Sequence, residues 1–254
     1  MSSNTWTAAA LTSSAVKLRG RLWRVVEAQA KISTMKLTDT LDEQAVLERV
    51  IEQTKPKIPA ECAHLGYLLF TPFRYAPYPF NSRFRRAASR EGVFYASEEP
   101  DTAIAEASFH RLLFFAESPA TPWPSGAAEH TVFAVEIATA RALDLTRPPL
   151  ADDRATWMHP TDYSACLELA DTARAAAMEA IRYESVRDPQ HRANVAVLTC
   201  KAFARSGAVA RQTWHLHVGR AGVRAVCEAP VRSLAFSPEA FAADPRLEPL
   251  NWRR

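Results

Sequence analysis

The sequence predicts a single α+β domain, and three observations lead there. Strand candidates do not alternate regularly with helix candidates, as a doubly wound parallel sheet would require. A length of 254 residues suits one large domain, and 48% hydrophobic with 23% charged residues is the balance of a folded chain. Glycine is scarce: the seven residues, at 20, 66, 92, 126, 207, 219 and 222, are never spaced as G-x-G-x-x-G, G-x-x-x-x-G-K-[ST] or G-x-S-x-G. A Rossmann fingerprint, a P-loop and a nucleophile elbow are therefore excluded. Any phosphorylated ligand must be held without a glycine-rich cradle.

Residues 1–20 read as a loose Ser/Thr/Ala-rich tail, with the domain expected over 21–254. Leu22–Val26 is the first strand candidate. Thr40 and Glu43 have capping-box spacing ahead of Leu47, Val50 and Ile51, which predicts a helix over about 41–54, stopped by Pro56. From Tyr67 to Phe84, prolines 72, 77 and 79 interleave with Phe70, Phe73, Tyr75, Tyr78 and Phe80. Prolines at that density disfavour a regular helix or strand, so an irregular segment lining or covering a cleft is expected. Gly92–Ala96 follows as a strand, and Pro100-Asp101-Thr102 opens a helix that carries Ile104, Ala105, Leu112 and Phe115 to near Pro119. Residues 130–138 alternate as a strand. Residues 161–178 form an amphipathic helix, with Cys166, Leu169, Ala170, Ala173 and Ala177 on one face. Short strands at 181–183 and 195–198 flank a polar loop, and three more candidates follow at 212–218, 222–228 and 231–236.

A net charge of +3 and a pI near 8.7 are too mild to announce a nucleic-acid partner. Cys62, Cys166, Cys200 and Cys227 contain no C-x-x-C pair and read as buried free thiols of a reducing compartment. There is no apolar run near the ~20 residues of a membrane span and no basic-then-apolar start, so a cytoplasmic protein is expected. His215 and His217 alternate on one strand face without a neighbouring carboxylate or cysteine; they read as strand histidines, and no metal is expected.

Four pieces set polar chemistry against apolar surroundings. Arginines 83, 85, 86 and 90 follow the aromatic segment; they form either a solvated basic turn or guanidinium forks for phosphate. Tyr95 lies on its strand and alone reads as core. Glu106 sits among small and apolar residues early in a helix, either favouring the macrodipole or held in a dry pocket. Ser185, in the loop after Ile181-Arg182-Tyr183 and ahead of Asn194, alone reads as a turn serine.

The ordered set is Arg83-Phe84, then Gly-x-x-Tyr-Ala ending at Ala96, then Thr-Ala-x-x-Glu ending at Glu106, then Arg-Tyr-x-Ser-Val-Arg ending at Arg187 and Asn194-Val-Ala. This set resembles the RES family, toxins of bacterial Xre/RES toxin–antitoxin modules, best over the core 81–203. The extra helix-bearing stretch ahead of it is similar to the longer ParT-like branch. The resemblance implies a fold like that of diphtheria-toxin-type ADP-ribosyltransferases, NAD+ as substrate, no metal, and an Xre-type antitoxin as partner. It implies catalytic roles for Glu106, Arg83 and Ser185, and substrate contacts from Arg24, Arg83, Tyr95, Ser185 and Asn194. Breaking the nicotinamide–ribose bond passes through an oxocarbenium-like state that a fixed carboxylate stabilises, which is the role Glu106 would take. Arg83 would meet the pyrophosphate or ribose, with Arg24 as a second anion contact. Tyr95 would stack on nicotinamide, and Ser185 would bond the carboxamide or ribose. The ParT-like branch implies transfer of ADP-ribose to a protein; phosphate or water are the alternative acceptors. An RNA-binding reading of segment 70–90, arginines beside aromatics, leaves Glu106 and Ser185 without a role.

Overall fold

A computed structural model describes residues 6–27, 34, 37–74 and 78–253. Its strands join in the order β1 (Val16–Glu27), β2 (Phe94–Ser97), β5 (Ala193–Val197), β4 (Ala180–Glu184), β3 (Ala128–Asp144), β6 (Ala210–Gly219), β7 (Gly222–Cys227) and β8 (Arg232–Phe236). β1 also runs antiparallel to β3 from Val16↔Ala142 to Glu27↔His130. The first five strands therefore close on themselves, through the single pair Trp23↔Ser97 between β1 and β2. The length of β3, 17 residues, makes this possible. One edge pairs with β1, while the other pairs with β6 over Ala128–Ala134 and, in parallel, with β4 over Ala142–Asp144.

Helices pack on this sheet as three cores. α3 (Tyr67–Arg74) brings Leu69, Phe70 and Phe73 against Phe94, Phe133 and Phe203. α1 (Ala8–Ser13), α5 (Arg154–Trp157) and α6 (Ser164–Ala175) bury Leu11, Trp157, Cys166 and Leu169 with Ile181. α4 (Pro100–Glu117) begins with proline at its first turn, where the missing N–H costs nothing. It buries Ile104, Phe109, Leu112 and Phe115 against Trp214, Leu216 and Phe236 of the β6–β8 meander. α4 is thus enclosed on most sides, and any polar residue on its remaining face is directed into whatever gap the sheet leaves there.

The capping box of Thr40 and Glu43 starts α2 (Leu41–Thr54) at the expected residues. Three expectations need correction. Residues 1–20 are not a loose tail as far as they are described: Thr7 caps α1, Leu11 is fully buried, and β1 begins at Val16. The outer half of β1 (Lys17, Arg19, Gly20, Arg21) is exposed, so it shows no alternation to read. The proline-rich stretch is helical over Tyr67–Arg74 with Pro72 inside; the proline removes one intrahelical N–H, and burial of Leu69, Phe70 and Phe73 in the core outweighs that loss. Tyr75 and Pro77 lie outside the described residues. Finally, Cys62 and Cys200 are not free thiols but form a disulfide, with Cα atoms 5.4 Å apart. Spacing along 138 residues carries no sign of the approach of the two short turns that hold them. Cys166 and Cys227 are free and buried.

α6 is shorter than its apolar periodicity. It ends in a Schellman motif, with Ala177 N–H on the Arg174 carbonyl and Met178 N–H on the Ala173 carbonyl, both 2.8 Å. Ala177 takes the left-handed conformation (φ 53°) that glycine usually fills there. No helix of the described residues is long and apolar enough to cross a membrane.

Candidate functional site

A cleft of about 450 Å³ opens between β1, β2, α4 and the loop after β4, within the range of small-molecule sites. β1 contributes Trp23 and Arg24, β2 contributes Tyr95, α4 contributes Glu106 and His110, and β5 contributes Asn194. Among the described residues, four arginines (24, 83, 187 and 246) and a single carboxylate, Glu106, line it, so the walls favour an anionic ligand.

Glu106 is held from one side. Ser185 Oγ and Asn194 Nδ2 both donate to its Oε1 at 2.6 Å, while Oε2 makes no hydrogen bond among the described residues. The two donors are themselves fixed. Asn194 lies opposite Ser97 on β2 and accepts its hydroxyl proton at 2.6 Å. Ser185, fully buried, accepts from the N–H groups of Arg187 (3.2 Å) and Asp188 (2.9 Å). Its hydroxyl is therefore spent on Glu106 and its own turn, which makes it a support behind the carboxylate and not a wall of the cleft.

The two arginines first expected to meet phosphate differ. Arg24 stacks on Phe94 (4.9 Å) and donates one bond, to the Tyr95 carbonyl (2.7 Å); no carboxylate among the described residues pairs with it. Burial pushes its guanidinium down to about 10, the neighbouring Tyr95 opposing slightly. Arg83 is 8% exposed and gives its terminal nitrogens to the carbonyls of Trp157 (2.5 Å) and His159 (3.1 Å), over the Tyr163 ring. Its charge too has no carboxylate partner among the described residues. The Tyr95 hydroxyl accepts from Phe84 N–H and shares a bond with Ser82, each 2.9 Å, so the tyrosine fixes the arginine-bearing segment. Burial raises its pKa, these bonds working against the rise.

Residues to which the sequence assigned no site role complete the walls. Arg187 and Arg246 share Asp244 (2.6 and 2.9 Å) and stack on Phe109 (4.1 and 5.3 Å). Tyr163 faces Arg83, and His110 is exposed to the cleft one turn beyond Glu106. An i,i+4 histidine after Glu106 was a readable signal; the approach of Arg246 was not, since it depends on the path of the chain after β8. Among the described residues of the arginine–aromatic segment, Phe70, Phe73, Arg83 and Phe84 are buried and Arg86 pairs with Asp171, while Tyr78, Phe80 and Arg90 are exposed. His215 and His217 are half-buried on β6, and no cluster of three or more metal-ligating side chains occurs among the described residues.

A family model described as the RES domain matches residues 58–219. The chain belongs to the RES domain family. Glu106, Arg83, Tyr95, Ser185 and Asn194 fall inside the RES match, whereas Arg24 on β1 and Arg246 reach the cleft from outside it. Among solved structures, the M. tuberculosis MbcT–MbcA toxin–antitoxin complex is similar at a TM-score of 0.46 and 11% identity, covering 95% of this chain and 98% of that one. No curated protein sequence matches this RES chain.

Proposed function

We propose that the protein is the toxin of a toxin–antitoxin module and consumes NAD+, breaking the nicotinamide–ribose bond and passing ADP-ribose to a protein acceptor. The observation that carries this reading is the Glu106 carboxylate, clamped at Oε1 by Ser185 and Asn194 and with no hydrogen bond at Oε2 among the described residues, in a cleft of arginines. Positive charge grows on the ribose as nicotinamide leaves. A carboxylate that needs no reorganisation stabilises it at the moment it forms. Arg24 and Arg83 supply positive charge for the diphosphate, and the Trp23, Tyr95 and Tyr163 rings supply apolar faces for the two bases. Nicotinamide departs as a neutral ring, so no general acid is needed. Membership of the RES family supports the NAD+ reading, and the extra helix before the matched core supports the ParT-like branch and its protein acceptor. A diphtheria-toxin-type transferase fold and an Xre-type antitoxin over the cleft belong to the same proposal.

The test is incubation with adenylate-labelled NAD+ in buffer, in phosphate and in cell lysate. Label on a protein band is the expected result. ADP-ribose 1″-phosphate would instead mean a phosphorylase, free ADP-ribose a hydrolase, and no loss of NAD+ in any setting would overturn the reading. Glu106→Gln should lower nicotinamide release roughly 10²-fold or more; release at the wild-type rate would sink the role of the carboxylate.

A further inference from the structure

We infer that Thr102 and Asp188, neither of which lines the cleft, are positioning residues that aim Ser185 at Glu106; the inference rests on the NAD+-cleaving reading of the site. A serine hydroxyl has one proton and two lone pairs. The N–H groups of Arg187 and Asp188 occupy both lone pairs of Ser185, which leaves its proton directed to Glu106 Oε1. That direction persists only while the turn 185–188 keeps its place against α4. The Asp188 carboxylate, 1% exposed, holds it there. It accepts from Thr102 Oγ1 (2.8 Å), from Arg192 Nε (2.6 Å) and Nη2 (3.1 Å), and from Gln190 N–H (3.1 Å).

Thr102, fully buried, stands one helical turn before Glu106 on the same face of α4. Asp188 stands three residues after Ser185 in the loop. Ser185–Glu106 and Asp188–Thr102 are thus two rungs between one loop and one helix face. Arg187 of the same turn also stacks on Phe109 of α4 (4.1 Å), but only the two rungs are directional hydrogen bonds, and the second fixes the rotation that the first leaves open. Arg192 extends the clasp to Asp101 at the start of α4 (3.6 Å), which Arg232 of β8 also holds at 2.7 Å. A buried carboxylate with four donors and no access to the cleft serves the alignment of the groups that do have access.

Thr102→Val removes the hydroxyl and keeps the side-chain shape, whereas Thr102→Ser keeps the hydroxyl. Two measurements separate the clasp from the chemistry: amide hydrogen exchange at Arg187 and Asp188, and steady-state release of nicotinamide from NAD+. Thr102→Val should speed both amides at least tenfold and lower kcat roughly tenfold to a hundredfold, with KM for NAD+ nearly unchanged. Thr102→Ser should match wild type in both. On a Ser185→Ala background Thr102→Val should cost nothing further in kcat, because it acts through Ser185. Wild-type exchange and kcat in Thr102→Val, or an equal proportional loss on both backgrounds, would overturn the inference. Should Thr102→Val fail to fold, Asp188→Asn submitted to the same measurements decides it by the same criteria. If the wild-type protein releases no nicotinamide, the NAD+ reading falls, and the exchange measurement still decides whether the clasp holds the turn.

Discussion

Arg24 and Arg83 both line the cleft, yet their guanidinium groups are employed differently. Arg83 satisfies two carbonyls, of Trp157 and His159, in a nearly closed environment. Arg83→Ala should therefore lower stability by about 1–3 kcal/mol, the usual cost of orphaning buried polar groups, and show it as a depressed melting temperature. Arg24 is a desolvated cation with one carbonyl partner, so Arg24→Ala should melt at or above the wild-type temperature while KM for NAD+ rises several-fold. A protein in which Arg24→Ala left KM unchanged would not be using that charge for substrate. Much at this scale was legible in the sequence. Glu106 stood out because small apolar neighbours flank it, and Ser185 and Asn194 because they recur in order with it. Tyr163 and Arg246 gave no comparable sign, since a tyrosine before a helix or an arginine after a turn is ordinary until the fold brings it to a cleft; His110 was readable only as the residue one turn after Glu106.

At the scale of elements, local chemistry decided what could be read. α2 follows from its capping box, and α4 from Pro100 and the apolar residues behind it. β1 is less readable because its outer half is mostly exposed, with Leu18 alone turned to the core, and α3 because a proline signal outweighs the apolar spacing of Leu69, Phe70 and Phe73. The end of α6 offers a test of how the chain manages with few glycines. Ala177 holds a left-handed position that costs an L-residue roughly 1–2 kcal/mol, partly offset by the smaller backbone entropy it loses relative to glycine. Ala177→Gly should raise stability by up to about 1 kcal/mol, or roughly 2–4 °C in a thermal melt. The opposite holds at Gly92, ahead of β2. A Cβ there would lie 2.5 Å from Phe73 Cα and closer still to the Pro72 carbonyl oxygen. Gly92→Ala should force α3 and β2 apart and cost about 3 kcal/mol, visible as a lower denaturation midpoint.

Across the whole molecule, the ring formed by the first five strands was not legible, because β1 meets β3 across more than a hundred residues and closure leaves no local periodicity. Neither was the dependence of the cleft on buried carboxylates. Burial would raise Asp188 and Asp244, but hydrogen bonds and charges from Arg192, Gln190 N–H and Thr102 for the first, and from Arg246 and Arg187 for the second, hold both below the ordinary carboxylate range. Their contribution to stability is then fully present above the unfolded value of about 4 and is lost as pH falls through the lowered native values. Thermal melts should change little between about pH 7 and 5 and fall steeply below about 4. Asp244→Asn should melt lower at neutral pH and lose less on acidification. The position of Asp244 has a second effect. It lies beyond the RES match at 58–219, yet pairs with Arg187 inside it, their side chains 2% and 6% exposed. A chain trimmed after Gly219 would strand that arginine at a cost of about 3–5 kcal/mol. It would also bare the whole outer edge of β6, a row of unpaired N–H and C=O groups on which a second molecule can add a strand. The residues past the family boundary thus protect the sheet from self-association, and a shortened RES core of this protein should precipitate before it can be assayed.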